Sequence, residues 1–214
     1  MRKKYLTKAE RAEFSLSADL KAILVGLIIG DLHVRKFTPS CNPFLRFEQS
    51  IIHKDYIFHL YDLFSNYCMA PPKIANRLPD KRTGRVYSRV TFITYSLPCF
   101  KDMYDLFYCA GKKVIPLNIA DLLTPLGLAY MICDDGCWSQ QGKRIILCTE
   151  SLTLEEVNLL LDVLNDKWDL KCYKNKKGTN LAGYRIIIPS YSIPRLQTLL
   201  EPHMPTMMRH KIGL

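Results

Sequence analysis

Three carboxylates in this chain stand where carboxylates are disfavoured. Residues 24–31 read LVGLIIGD and residues 128–136 read LAYMICDDG, so each is an uncharged apolar segment that runs abruptly into acid. The acids are Asp31 in the first segment and Asp134 and Asp135 in the second. If both segments are helices, these groups fall at C-terminal ends, where the macrodipole costs a nearby anion about 0.3–1 kcal/mol. Neighbouring carboxylates repel one another as well. A bound divalent cation reverses both penalties, which makes these acids candidate metal ligands.

Two helices must position these acids. Residues 22–29 are apolar without interruption, so a helix built from them has no polar face and must be buried nearly all round. Gly26 and Gly30 lie four apart inside it, each costing roughly 0.5–1 kcal/mol against alanine, a cost offset by close approach of another backbone. The second segment is the partner: Thr124-Pro125 provides an N-cap and a first-turn proline, and Gly127, Ala129 and Cys133 alternate with larger residues. Packing along these faces sets Asp31 beside Asp135 and Asp134.

These two segments resemble the paired signature motifs of the LAGLIDADG homing endonucleases, in the single-chain form that carries both copies. Residues 24–31 match the first eight positions, with Leu32 where a final glycine is usual. The second copy keeps the last acid and Gly136 but places Tyr130 where glycine is common. The resemblance spans about residues 18–211 and implies Mg²⁺ as cofactor, with Mn²⁺ substituting and Ca²⁺ supporting binding without cleavage. It implies Asp31 and Asp135 as catalytic acids, one per DNA strand, with backbone carbonyls of Gly30 and Asp134 in the metal shell. Asp134 also reads as a cap of the following turn. A lysine before a short V-I-P turn is a family feature matched by Lys113, ahead of Val114-Ile115-Pro116. A second catalytic lysine near the C-terminus is matched by Lys211, with His210 where tyrosine is usual.

The composition agrees with a polyanionic partner. The chain has 214 residues, 30 basic against 20 acidic, and a formal net charge of +10. Divided at Pro116, the first part carries +9 and the second +1, so two halves of one fold divide the electrostatic work unequally. Its longest apolar run is too short for a membrane span, and the basic start MRKKYLTKAERAEF has no hydrophobic signal core. No membrane association is expected. Eight cysteines without regular pair spacing fit a reducing compartment. A zinc site through Cys133-x3-Cys137 is set aside, because Cys133 falls inside the buried helix and no second ligand pair appears.

The remaining elements repeat. After a basic arm (1–17), a helix ending at Asp31 is followed by strands at 32–37 and 44–50, a helix at 53–67, strands at 73–77 and 85–95, and a helix at 97–109. Beyond Pro116 the order recurs: the second acid-ended helix, a strand at 144–148, a helix at 153–168 opened by the capping box Thr153/Glu156, strands at 170–174 and 184–189, and a helix at 193–200. The predicted fold is thus α+β, with two αββαββα halves, 18–116 and 117–214; in the family it resembles, each half is a curved antiparallel sheet backed by helices. Family resemblance adds that the halves are pseudo-symmetric, form a DNA-binding saddle and pack the motif helices at its centre.

Alternation places Arg85, Tyr87, Arg89 and Thr91 on one strand face and Arg46 and Glu48 outward on another, a basic and aromatic surface suited to nucleic acid. Arg35, Arg46, Arg77, Arg85, Arg89 and Arg185 are the candidates for base readout, since arginine reads guanine bidentately. Lys81, Lys143, Lys174, Lys176 and Lys177 are candidates for phosphates, and Lys36, Glu48, Arg82, Tyr87 and Arg144 complete the predicted DNA surface. His33, His53, His59 and His203 have no partner pattern and read as structural. The reading is a monomeric, Mg²⁺-dependent, site-specific double-strand DNA endonuclease of the homing type, intron-encoded and organellar (mitochondrion or chloroplast). The alternatives are an intron RNA maturase, binding structured RNA with the same fold, and a DNA-binding repressor without cleavage.

Overall fold

The computed structural model of the chain describes residues 5–176 and 183–214. It divides into two compact units, Met1–Leu20 with Asp31–Asp105, and Lys21–Gly30 with Leu106–Leu214. A division at Pro116 would leave the whole first motif in the first unit. By contact, its buried segment instead packs in the second, for the reason the glycines suggested.

Helices α1 (Lys8–Ala12) and α2 (Ala18–Ile29) open the chain. Within the basic arm, Thr7 and Glu10 form a capping box for α1, and Arg11 donates to the Ser96 carbonyl at 3.3 Å. Ser17 accepts from the Leu20 amide at 3.2 Å, which starts α2. From Ile23 to Ile29 every residue of α2 is buried.

In the first unit, β1 (His33–Arg35), β2 (Phe44–Ser50), β3 (Lys73–Asn76) and β4 (Ser88–Ile93) make an antiparallel sheet of order β1-β2-β4-β3. Its apolar face, with Leu45, Phe47, Val90 and Phe92, is backed by α3 (Lys54–Phe64) through Ile57, Leu60 and Phe64. Phe47 and Phe92 stack at 4.3 Å between ring centroids. The α4 helix (Lys101–Phe107) follows a 3-10 turn at Pro98–Phe100. Strand β4 is shorter than the predicted 85–95: Arg85 and Tyr87 precede it, although Arg77 N donates to Tyr87 O at 2.7 Å and prolongs the pairing.

The second unit repeats the topology. Strands β7 (Gly136–Ser139), β8 (Arg144–Leu147), β9 (Tyr173–Lys176) and β10 (Tyr184–Ile188) have the order β7-β8-β10-β9. Helix α7 (Leu154–Trp168) begins at the expected Thr153/Glu156 capping box, and α8 is Ile193–Leu200. Three pieces were not foreseen. Residues 108–113 are not the end of a helix followed by a plain turn: β5 (Tyr108–Cys109) pairs with β6 (Lys112–Lys113) around Ala110 and Gly111, both at positive φ. A short α5 (Ile119–Leu122) precedes α6 (Pro125–Asp135), and β7 follows α6 without a gap. A four-residue strand carries too little alternation to be read from sequence.

Candidate active site and nucleic-acid interface

The two motif helices meet through glycine. A Cβ on Gly26 would stand 1.9 Å from the Gly127 carbonyl oxygen, and one on Gly127 would stand 2.8 Å from the Ala22 carbonyl oxygen. Such backbone-to-backbone contact excludes any side chain. One turn further on, a Cβ at Gly30 would meet the Asp134 side chain at 2.7 Å. Helix α6 is started by Thr124, whose hydroxyl accepts from the Gly127 amide at 3.1 Å. Tyr130, in place of a glycine, is buried at 4% exposure, and burial raises its pKa. Asp134 and Asp135 are half-buried and Asp31 is exposed.

Each predicted lysine reaches a carbonyl next to its motif acid. Lys113 Nζ donates to the Gly30 carbonyl oxygen at 2.5 Å, immediately before Asp31. Lys211 Nζ donates to the Gly136 carbonyl oxygen at 2.7 Å, immediately after Asp135. Lys113 is carried by the β5–β6 hairpin, whose exit is pinned where Glu156 accepts from the Ile115 amide at 2.9 Å. Lys211 lies on a 3-10 segment, Thr206–Ile212, that packs on β7. Asp135 is also fixed through its backbone, its carbonyl accepting from Cys148 N at 3.0 Å.

The donor set offered to a cation consists of carboxylates and backbone carbonyls. Among the described residues, no group of three or more His, Cys, Asp or Glu side chains is placed to hold a metal. An ammonium against the Gly30 carbonyl marks that oxygen as facing positive charge. Few carboxylates and hard oxygen donors suit Mg²⁺, which retains several waters and takes substrate phosphate into its shell. All eight cysteines are free thiols, and burial pushes that of Cys172 up to about 12.

On the first sheet, the face opposite the core gathers four of the predicted basic residues, Arg35, Arg46, Arg77 and Arg89. An open cleft of about 480 Å³ is lined by Asp31, His33, Arg35, Arg46, Glu48, Gln49 and Arg77, among others. Glu48 on β2 accepts from Arg46, Arg77 and Arg89, each at 3.0 Å. Burial by itself would raise the Glu48 carboxyl, but the hydrogen bonds from Arg46, Arg89 and Arg77 outweigh it and hold the group below its ordinary value. Gln49 Nε2 donates to Asp31 Oδ2 at 3.3 Å, a contact not read from sequence. The available signal was a polar residue at the inward parity of 45, 47 and 49.

The other predicted contacts disperse. Lys81, Arg82, Arg85, Tyr87 and Lys143 are exposed, whereas Lys36 lies 4.1 Å from the centroid of the Tyr104 ring. In the second sheet Arg185 Nε bonds Glu150 at 2.5 Å, and Arg144 is half-buried. Lys174 lies opposite Ile186, on the face toward α7, and donates to Asn158 at 2.6 Å, apart from Arg185. Lys176 shares that parity and is exposed; Lys177 lies outside the described residues.

Two sheets repeat one topology, and a lysine stands at each acid-ended helix. The sequence matches the model of the LAGLIDADG DNA endonuclease family over residues 21–196, and the chain belongs to that family. It is 30% identical over 201 residues to the cytochrome b mRNA maturase bI2 of Debaryomyces hansenii, covering 92% of this chain and 75% of that one. It is also 27% identical to the DNA endonuclease I-ChuI of Chlamydomonas applanata, over 93% of this chain and 96% of that one. Its fold is similar to that of the homing endonuclease I-WcaI bound to its DNA recognition sequence, with a TM-score of 0.85 and 26% identity. That match covers 93% of this chain and 88% of the other.

Proposed function

We propose that this chain is a site-specific DNA endonuclease that hydrolyses both strands of a long target with Mg²⁺. The observation that carries the reading is the pairing of each motif acid with a lysine held at the adjoining carbonyl: Lys113 at Gly30 and Lys211 at Gly136. A structural acid at a helix end has no need of such a lysine.

Asp31 and Asp135, with the carbonyls of Gly30 and Asp134, would hold the cation. When bound, it would polarise the scissile phosphate and lower the pKa of the attacking water. Gln49, bonded to Asp31, orients that carboxylate. Lys113 and Lys211 bring positive charge to where negative charge develops on the phosphate oxygens, an interaction strengthened as water is excluded by bound DNA. Each acid serves one strand. The first sheet, with its excess of arginine, makes the larger share of the DNA contacts, and a monomer suffices because both motifs are in one chain. The gene is read as intron-borne and organellar, in keeping with the similarity to a cytochrome b mRNA maturase and to I-ChuI.

The test is cleavage of a DNA library with Mg²⁺, Ca²⁺ or chelator, comparing wild type with Asp31→Asn and Asp135→Asn. Cutting at one long site with Mg²⁺, lost as double-strand cleavage in both variants, supports the reading. Specific binding without cutting under any divalent cation rejects it. A second reading, binding of structured intron RNA, is favoured by the 30% identity to a maturase. It is tested by RNA binding and splicing of a host intron with the cleavage-dead variants.

A further inference from the structure

The polar face of the first sheet is organised about one acid. Glu48 is central on that face, with Arg46 two residues away on β2, Arg89 diagonally across on β4, and Arg77 beyond the end of β3. Both carboxylate oxygens are used: Oε1 accepts from Arg77 and Arg89, and Oε2 from Arg46 and, at 3.1 Å, Arg89. Three guanidinium groups this close repel one another, and their long side chains carry much rotamer freedom. A shared carboxylate offsets the repulsion and removes the freedom.

The arrangement does not consume the arginines. A guanidinium has five N–H donors in a rigid fork, and Glu48 engages a single terminal nitrogen of each. Arg77 is the most exposed, at 59% for its side chain, against 35% for Arg46, 36% for Arg89 and 24% for Glu48. The three arginine side chains are thus more accessible than the carboxylate that holds them, although Nε of Arg89 is buried. An acid set back among arginines meets DNA phosphates unfavourably and base edges only through those arginines.

We propose that Glu48 determines which bases this sheet reads by fixing Arg46, Arg77 and Arg89 in position, without itself touching DNA. Glu48 is a positioning residue, and the proposal rests on the DNA-binding reading above. The unit that it serves reads bases by the fork geometry of arginine, so the fixed direction of each fork selects the base that it meets. The second sheet has a reduced counterpart in which Glu150 holds Arg185. Specificity is accordingly concentrated in the first sheet, in line with its larger positive charge.

The experiment selects bound sites from a randomised duplex library in Ca²⁺, where cleavage does not interfere, for wild type, Glu48→Gln, Arg77→Lys and the double variant. If wild type enriches no site, it is the DNA-binding reading that fails. If wild type enriches a site, Glu48→Gln is expected to lose preference by about tenfold or more at several base pairs. Its affinity for random duplex should be unchanged or higher, with a salt dependence at least as steep, because freed arginines turn to phosphates. Arg77→Lys, which keeps charge at an exposed position, should relax a subset of the same base pairs, and the double variant should lose less than the sum of the two. An unchanged site for a folded Glu48→Gln overturns the proposal. So does relaxation at a single base pair with additive effects, which would make Glu48 a direct base contact. Should Glu48→Gln not fold, Arg46→Lys takes its place: base preferences at positions read by Arg77 must then shift with it, and independence overturns the proposal.

Discussion

Lys113 Nζ lies 2.5 Å from the carbonyl oxygen of Gly30, the residue that delivers the chain from the first motif helix to Asp31. The ammonium thus sits against an oxygen that we propose faces the cation. Replacing Lys113 with Met should lower single-turnover cleavage by roughly 10²–10³-fold, the usual cost of one preorganised electrostatic donor. Binding of target DNA in Ca²⁺ should change by only a few-fold. Quench-flow cleavage alongside equilibrium binding separates the two, and an equal loss in both would place Lys113 in the binding surface instead.

Gly26→Ala should destabilise the protein by roughly 1–3 kcal/mol or more, because the new methyl meets the Gly127 carbonyl at 1.9 Å and backbone cannot step aside. Gly111→Ala is the control: nothing lies within 4 Å of its Cβ position, and only its φ of +78° is strained. Chemical denaturation of both variants should show the first far below the second. Similar midpoints would mean that the helix crossing relaxes.

Glu156 ties two segments together, accepting from Thr153 N at 2.8 Å through one oxygen and from Ile115 N at 2.9 Å through the other. Glu156→Ala should cost about 1–2 kcal/mol through loss of the capping box and leave the Ile115 amide unsatisfied. It should also reduce cleavage, since Ile115 ends the hairpin that aims Lys113. Glu156→Gln retains the acceptor toward one amide and should recover part of both losses. Full activity in a destabilised Glu156→Ala protein would confine the residue to stability.

Acid should act on the arginine cluster through Glu48. Its folded pKa lies below the ordinary value of 4.5, so its stabilising contribution is complete above that value and disappears as pH falls through the folded pKa. Wild type should therefore exceed Glu48→Gln in thermal stability near neutrality, and the difference should close below about pH 4.5. A difference that persists unchanged into strong acid would show that the charge of Glu48 is not what holds the three arginines.

Much of the site was legible because it is written in local pattern. An all-apolar helix has one solution, burial, and an acid at its end has few; hence Asp31, Asp134 and Asp135 stood out before any fold was known. The β2 alternation, which turns Leu45 and Phe47 inward and Arg46 and Glu48 outward, is likewise a property of the strand period. The Thr153/Glu156 box named the start of α7 because capping is settled within four residues.

What tertiary structure decided is whatever depends on partners distant in sequence. Composition could place Glu48 among basic residues, but only the antiparallel register of β2, β4 and β3 brings Arg89 and Arg77 onto its two oxygens. Gln49 meets Asp31, eighteen residues away, and strand parity turns Lys174 to Asn158, away from Arg185. The second oxygen of Glu156 was invisible from its helix, since its partner amide at Ile115 belongs to another segment. Local sequence therefore determined which residues are acidic, basic, buried or capping. The pairing of strands and the glycine-to-glycine crossing of two helices determined which of them act on one another, because hydrogen bonds and close packing are set by distances that the chain alone does not encode locally.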